Sequence, residues 1–204
     1  MVKKLLDKGI LDFVGRSGLL NEAIKTEGET VIRVLLDCGV DPETRGIHKR
    51  TPLVEAAESG QANIVRLFVG RDNVDVNSQD VQDKTALCYA AYCGHHEVVR
   101  ALLSDGRTDR NFRTSENWTP LHLAASRGHH LVVKVLLSDT RTDANARNGE
   151  SWTPLQDAAS RGYEMVVKTL LDDEKVDINA RDNFGWTALH SAAAGRHRAT
   201  MRIL

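Results

Sequence analysis

The chain has 204 residues, 41% of them apolar and only 5% aromatic, with a formal net charge of −1. That length holds one ordinary domain or one short array, with a core of aliphatics and alanine. Near-neutral charge excludes a strong field toward nucleic acid or an anionic membrane, and no apolar run approaches the ~18 residues of a membrane span.

Three cysteines, Cys38, Cys88 and Cys93, have neither metal-ligand spacing nor an even count. That usage fits a reduced compartment, cytoplasmic or nuclear. Near the N-terminus charges return at Asp7 and Lys8 after a short apolar stretch, so no secretory leader is read there.

In chain order, residues 2–7 read as the second helix of a partial unit over 1–12. A degenerate unit follows over 13–45, with Gly18-Leu19-Leu20 at its head and helices expected at 19–27 and roughly 29–36. From there a block recurs in step: Thr51-Pro52-Leu53, Thr85-Ala86-Leu87, Thr119-Pro120-Leu121, Thr153-Pro154-Leu155 and Thr187-Ala188-Leu189, each 34 residues after the last. A fixed period of this size marks a repeat architecture, here with units over 46–79, 80–113, 114–147, 148–181 and a truncated 182–204.

One unit shows the physics. Thr119 is a good N-cap, and Pro120 suits the first helical position, where a missing N–H costs nothing. Leu121, Ala124 and Ala125 share a helical face, and Gly128 stands where a left-handed residue ends the helix. A second helix follows with Val132, Val133, Leu136 and Leu137 on its apolar face. Each helix has two to three turns, marginal alone in water, so the pair must pack on itself and on its neighbours. Small Ala-Ala pairs, from Ala56-Ala57 to Ala192-Ala193, allow that close approach. Each full unit closes with Asp-x-Asn (Asp75 to Asn77, Asp109 to Asn111, Asp143 to Asn145, Asp177 to Asn179), a turn former, followed by a polar segment read as an extended turn or hairpin finger.

Helix, turn, helix and finger, with Thr-Pro-Leu-His-Leu-Ala-Ala at 119–125 and Asp182-Asn-Phe-Gly185-Trp-Thr187-Ala-Leu-His190, resemble the ankyrin repeat. The resemblance covers nearly the whole chain. It implies an all-α solenoid of stacked antiparallel helix pairs with short β-hairpin fingers, and recognition of a partner protein through the concave face and fingers. It implies no enzyme activity, no cofactor, no metal and no nucleic-acid or membrane partner, and a monomeric chain. The step is one residue longer than the family's usual 33, and the extra residue falls in the loop after the second helix, where insertion is cheap. The family's finger glycine survives only at Gly185. Its other copies are Lys49, Asp83, Asn117 and Ser151, and Lys49 is expected to make its finger the irregular one. The array begins and ends inside a unit, as expected of a piece of a longer array or a larger protein.

Within the family pattern, residues that differ between units carry specificity. Trp118, Trp152 and Trp186 are all the tryptophans, and all stand just before the helix-opening threonine, where Arg50 and Lys84 stand in other units. They are expected to form a ladder that contacts a partner, packs on neighbouring fingers, or both. After the Ala-Ala pairs, Tyr92, Arg127 and Arg161 occupy the other variable positions. The arginines read either as solvated residues at a helix C-terminus or as interface cations. The candidate surface is therefore Tyr92, Trp118, Arg127, Trp152, Arg161 and Trp186.

Other chemistry finds less support. His95-His96 and His129-His130 are of a kind that binds metal, but the first of each pair has the family's turn position, and His122 and His190 have its structural histidine position. No nucleophile–base pair or Gly-rich phosphate loop is present. Asparaginyl hydroxylation is a further reading of the Asp-x-Asn turns, with Leu171 eight residues before Asn179. A sensor or scaffold segment of a larger signalling or enzymatic protein, or a spacer with no specific partner, is the alternative function.

Overall fold

Threonine sets where each repeated helix pair begins. In the computed structural model, which describes residues 16–26 and 28–204, Thr51, Thr85, Thr119 and Thr153 are extended. Each accepts on its side-chain oxygen the backbone N–H three residues on. Proline takes the first helical position in three of these helices. The expected partial unit over 1–12 lies outside the described residues.

Six helix pairs result among the described residues: α1 (Arg16–Lys25) and α2 (Glu29–Asp37), α3 (Pro52–Glu58) and α4 (Ala62–Val69), α5 (Ala86–Cys93) and α6 (His96–Leu103). Then come α7 (Pro120–Ser126) and α8 (His130–Ser138), α9 (Pro154–Ser160) and α10 (Glu164–Leu171), and α11 (Ala188–Ala194) and α12 (Arg198–Ile203). The first helices of successive pairs stack on one another in one layer, and the second helices stack in another. One continuous core runs between them. Leu121, Ala124, Ala125, Val132, Val133, Leu136 and Leu137 are all buried, and in the neighbouring pairs their counterparts are buried except Leu103 and Leu171, which are partly so.

Glycine is needed at the inter-helix turn for two reasons. Gly94 has φ +83°, and a Cβ there would lie 2.7 Å from His129 Nδ1 of the following pair. Gly128 has φ +80°, and a Cβ there would lie 3.0 Å from Tyr163 Cδ1. The turn is thus also a floor on which the next unit sets a ring.

The fingers are narrower than the expected β-hairpins, and no strand forms among the described residues. Each is one tight turn closed by two bonds. The Thr114 N–H donates to the Trp118 carbonyl at 3.0 Å and the Asn117 N–H to the Thr114 carbonyl at 2.8 Å. The same pair recurs at 46–50, 80–84, 148–152 and 182–186. A ladder cannot extend, because the Asp-x-Asn turn lies on one side and the threonine cap on the other. The fourth turn residue is left-handed in every copy: Lys49, Asp83, Asn117, Ser151 and Gly185 have φ of 57°, 53°, 60°, 63° and 78°. The finger at 46–50 differs from the rest, since His48 is left-handed as well, at φ 59°.

A left-handed non-glycine residue costs roughly 1–2 kcal/mol, and glycine returns about 0.5–1 of that through its looser unfolded chain. Ser151→Gly is therefore expected to raise unfolding stability by up to about 1 kcal/mol, and Gly94→Ala to lower it by more than about 2. Urea unfolding of the two variants reads both signs, and a Ser151→Gly chain less stable than its parent would contradict the strain argument.

Candidate protein interface

Several polar side chains that recur at the 34-residue step bond the backbone of the next unit. Asn111 Oδ1 accepts the Asp143 N–H at 2.8 Å while its Nδ2 donates to the Arg141 carbonyl at 2.8 Å. Asn77 and Asn145 do the same one unit before and after. The Asp-x-Asn aspartates hold these asparagines by accepting their N–H groups. On the finger side, Arg113 and Arg147 each donate to a carbonyl of the next finger.

The histidines are engaged in the same way. His122 is fully buried; Nδ1 accepts from the Thr119 N–H at 3.3 Å and Nε2–H donates to the Trp152 carbonyl at 3.0 Å. Burial holds its pKa down to about 4, so the ring is neutral. Gln156 makes the same two bonds one unit later, to the Thr153 N–H and the Trp186 carbonyl. His95, His129 and His197 each place Nε2 on a carbonyl of the preceding unit. Among the described residues, no three His, Cys, Asp or Glu side chains converge as a metal site.

The six candidate side chains lie around two grooves. The first, about 600 Å³, is lined by Tyr92, Trp118, Arg127 and Arg161, together with Lys84 and Glu116. Four of the six sequence candidates thus meet in one place. The Arg127 guanidinium lies 4.1 Å over the Tyr92 ring, and Lys84 Nζ is 5.6 Å from the same ring. His129 supports this stack from behind through the Tyr92 carbonyl. The second groove, about 610 Å³, lies between the last two fingers and is lined by Trp152, Trp186, Phe184, Glu150, Asp182 and Asn183. Trp186 is 43% exposed and Phe184, at the finger tip, 85% exposed.

Two of the tryptophan rings pack on the histidine of their own unit. Trp118 is half-buried against the core and its ring lies 6.1 Å from that of His122, while the Trp186 ring stacks 6.4 Å from His190. The two arginines are not equivalent. Arg127 packs on an aromatic ring, whereas Arg161 Nη1 bonds Asp157 Oδ1 at 2.8 Å. Asp157 is buried and also accepts from Asn148 Nδ2. Its burial outweighs the Arg161 charge and pushes its pKa up to about 6.

Sequence reasoning missed Asp157, Phe184 and a network in the preceding units. There Arg50 bonds Glu58, Asp80 and the Tyr89 hydroxyl, which donates to Asp80 Oδ2 at 2.6 Å. Burial first, and Asp80 beside it, push the Tyr89 phenol up to about 12. The available signal was the unit alignment: Asp157 occupies the slot of Tyr89 and Leu123, and Phe184 that of Gln82, Glu116 and Glu150.

A family model described as ankyrin repeats (3 copies) matches the chain in overlapping placements over residues 1–80, 20–113, 73–148, 107–182 and 140–204. The chain belongs to the ankyrin-repeat family. Ankyrin repeats are generally protein-interaction modules and typically non-enzymatic. No curated protein matches this one. Among the described residues of this ankyrin-repeat chain, no helix is long and apolar enough to cross a membrane.

His122 and Asp157 give the array an acid response with opposed parts. The folded-state pKa of His122, about 4, is below its unfolded value of about 6.5, so its contribution is present above 6.5 and lost as pH falls through 4. That of Asp157, about 6, is above its unfolded value of about 3.9, so its contribution is present below 3.9 and lost as pH rises through 6. Each is worth roughly 3 kcal/mol at full extent, and across pH 4–6 they offset each other. His122→Gln copies the bonding of Gln156 and is expected to leave a chain whose stability falls as pH rises from 4 to 6. Asp157→Asn is expected to have the reverse slope. Urea midpoints at pH 4, 5, 6 and 7 decide, and parallel curves for all three proteins would refute both assignments.

Proposed function

We propose that the chain is one continuous ankyrin array, with units as divided above, that binds a partner protein through the concave face of the first helices and the fingers. The observation that carries this reading is the separation of roles. Side chains common to the units are used in stitching, while Tyr92, Trp118, Arg127, Trp152, Arg161 and Trp186 gather around two open grooves. Aromatic rings and arginine are the side chains enriched at interface hot spots. A groove built on stacked helices is also largely pre-formed, so little ordering cost falls on binding. The reading includes a monomeric chain acting inside the cell.

Trp152→Ala tests it. The ring is half-buried, so the loss of stability is expected to stay below about 2 kcal/mol. Capture of the partner retained by the parent chain from its native cell is expected to weaken at least tenfold. A large fall in melting temperature with unchanged capture would make the tryptophan row structural and remove the interface reading.

A further inference from the structure

The two grooves differ in chemistry, and the difference specifies a partner. Around the first, Lys84, Arg127 and Arg161 face a single wall carboxylate, Glu116. Arg161 is already paired with Asp157 through Nη1. Arg127 and Lys84 have no carboxylate partner among the described residues; both lean on the Tyr92 ring instead. The Arg127 guanidinium lies over a ring face with no carboxylate on its N–H groups among the described residues, and that fork matches a carboxylate with two parallel bonds. The Tyr92 face below and the Trp118 ring beside it lower the local polarity, which strengthens such a pair. Glu116 on the wall disfavours a doubly charged phosphate more than a single carboxylate.

The second groove has the opposite character. Phe184, Trp186 and Trp152 supply rings, and the Asp182 side chain is already occupied by the Phe184 and Trp186 N–H groups at 2.9 and 2.8 Å. Glu150 is the second acidic side chain there, and it repels an anion. An acidic group therefore belongs in the first groove and an apolar one in the second.

We infer that this surface recognises an extended segment of a partner protein that places an Asp or Glu carboxylate against Arg127 and an aromatic or aliphatic side chain between the Trp152 and Trp186 fingers. This rests on the proposed function and names the partner chemistry for the same site. Helices packed side by side are about 8–10 Å apart, so grooves one to one and a half units apart are separated by roughly 10–15 Å. An extended chain covers about 3.3 Å per residue, which sets the acidic and apolar residues about three to five positions apart.

The experiment is selection of a displayed library of twelve-residue peptides on the intact chain, followed by anisotropy titration of fluorescein-labelled winners. Titrations use the parent, Arg127→Gln, Arg127→Glu and Trp186→Ala, each checked for parent-like circular dichroism. The expected winners carry Asp or Glu three to five residues from Phe, Trp, Tyr, Leu or Ile. Their affinity should fall at least tenfold with Arg127→Gln or Trp186→Ala, and fall with added salt. Replacing the peptide's acid by Lys should restore binding to Arg127→Glu. Should Arg127→Glu unfold, Arg127→Gln with the acid-to-amide peptide series still reads the charge pair. Winners that need Trp186 but lack an acid, or that ignore Arg127→Gln, would overturn the inference and leave the interface reading standing. Winners indifferent to both positions, or no winners, would overturn both.

Discussion

The amide of one asparagine per unit couples the array from pair to pair. Asn77, Asn111 and Asn145 each accept from an N–H 32 residues on and donate to a carbonyl 30 residues on. Both partners are backbone groups, so the bond does not depend on which side chains the next unit carries. It does depend on the distance along the chain. An added residue in the inter-unit loop must therefore recur in every unit the clamps join, and the step is a uniform 34. The degenerate unit shows the limit of this rule. Glu43 replaces the asparagine there; it still accepts the Asp75 N–H at 3.1 Å but has no donor to return. Burial then raises its pKa, the cost of holding a carboxylate where an amide fits.

Everything else depends on that spacing. Helices of six to ten residues do not persist alone, so they are held by neighbours that must arrive in register. Rings at His95, His129, Tyr163 and His197 close over the glycine turn of the preceding unit only if the step is right. His122 and Gln156 reach the carbonyl 30 residues on under the same condition. Stability in such a stack is a sum of nearest-neighbour terms, which agrees with contacts that run between adjacent pairs.

The helices were legible because their signals are local. Thr119, Pro120 and Gly128 act within one turn, and a fixed period repeats that message five times. The same locality explains the failures. An extended polar finger suggests two strands, but whether a ladder forms depends on backbone groups that Asn and Thr side chains have already engaged. Asp157 resembles any helix-surface acid until the stack buries it, and Arg50 and Asp80 meet only because 30 residues fold into one step. The candidate residues come from comparing units, which isolates differences. That Arg127 would lie over the Tyr92 ring was not readable, since Tyr92 comes from the adjacent unit, whereas the Arg161 pair with Asp157 is a local i, i+4 contact whose counterpart near Arg127 is Leu123.

One position resolves how scaffold and recognition coexist. The residue before each threonine is Arg50, Lys84, Trp118, Trp152 or Trp186, chemically diverse and structurally constant. Its carbonyl closes the finger turn in every copy. At Trp152 and Trp186 that carbonyl also receives the previous unit's His122 or Gln156. The main chain thus does the structural duty and the side chain is left to vary. A cation in the units over 46–79 and 80–113 and a ring in the three that follow change the surface while the carbonyl keeps its bond, and the Arg50 side chain adds bonds of its own to Asp80 and Tyr89. The change from charged to aromatic along the array alters side-chain contacts, from the Arg50 network to Trp118 packed against the core, while the finger backbone stays the same.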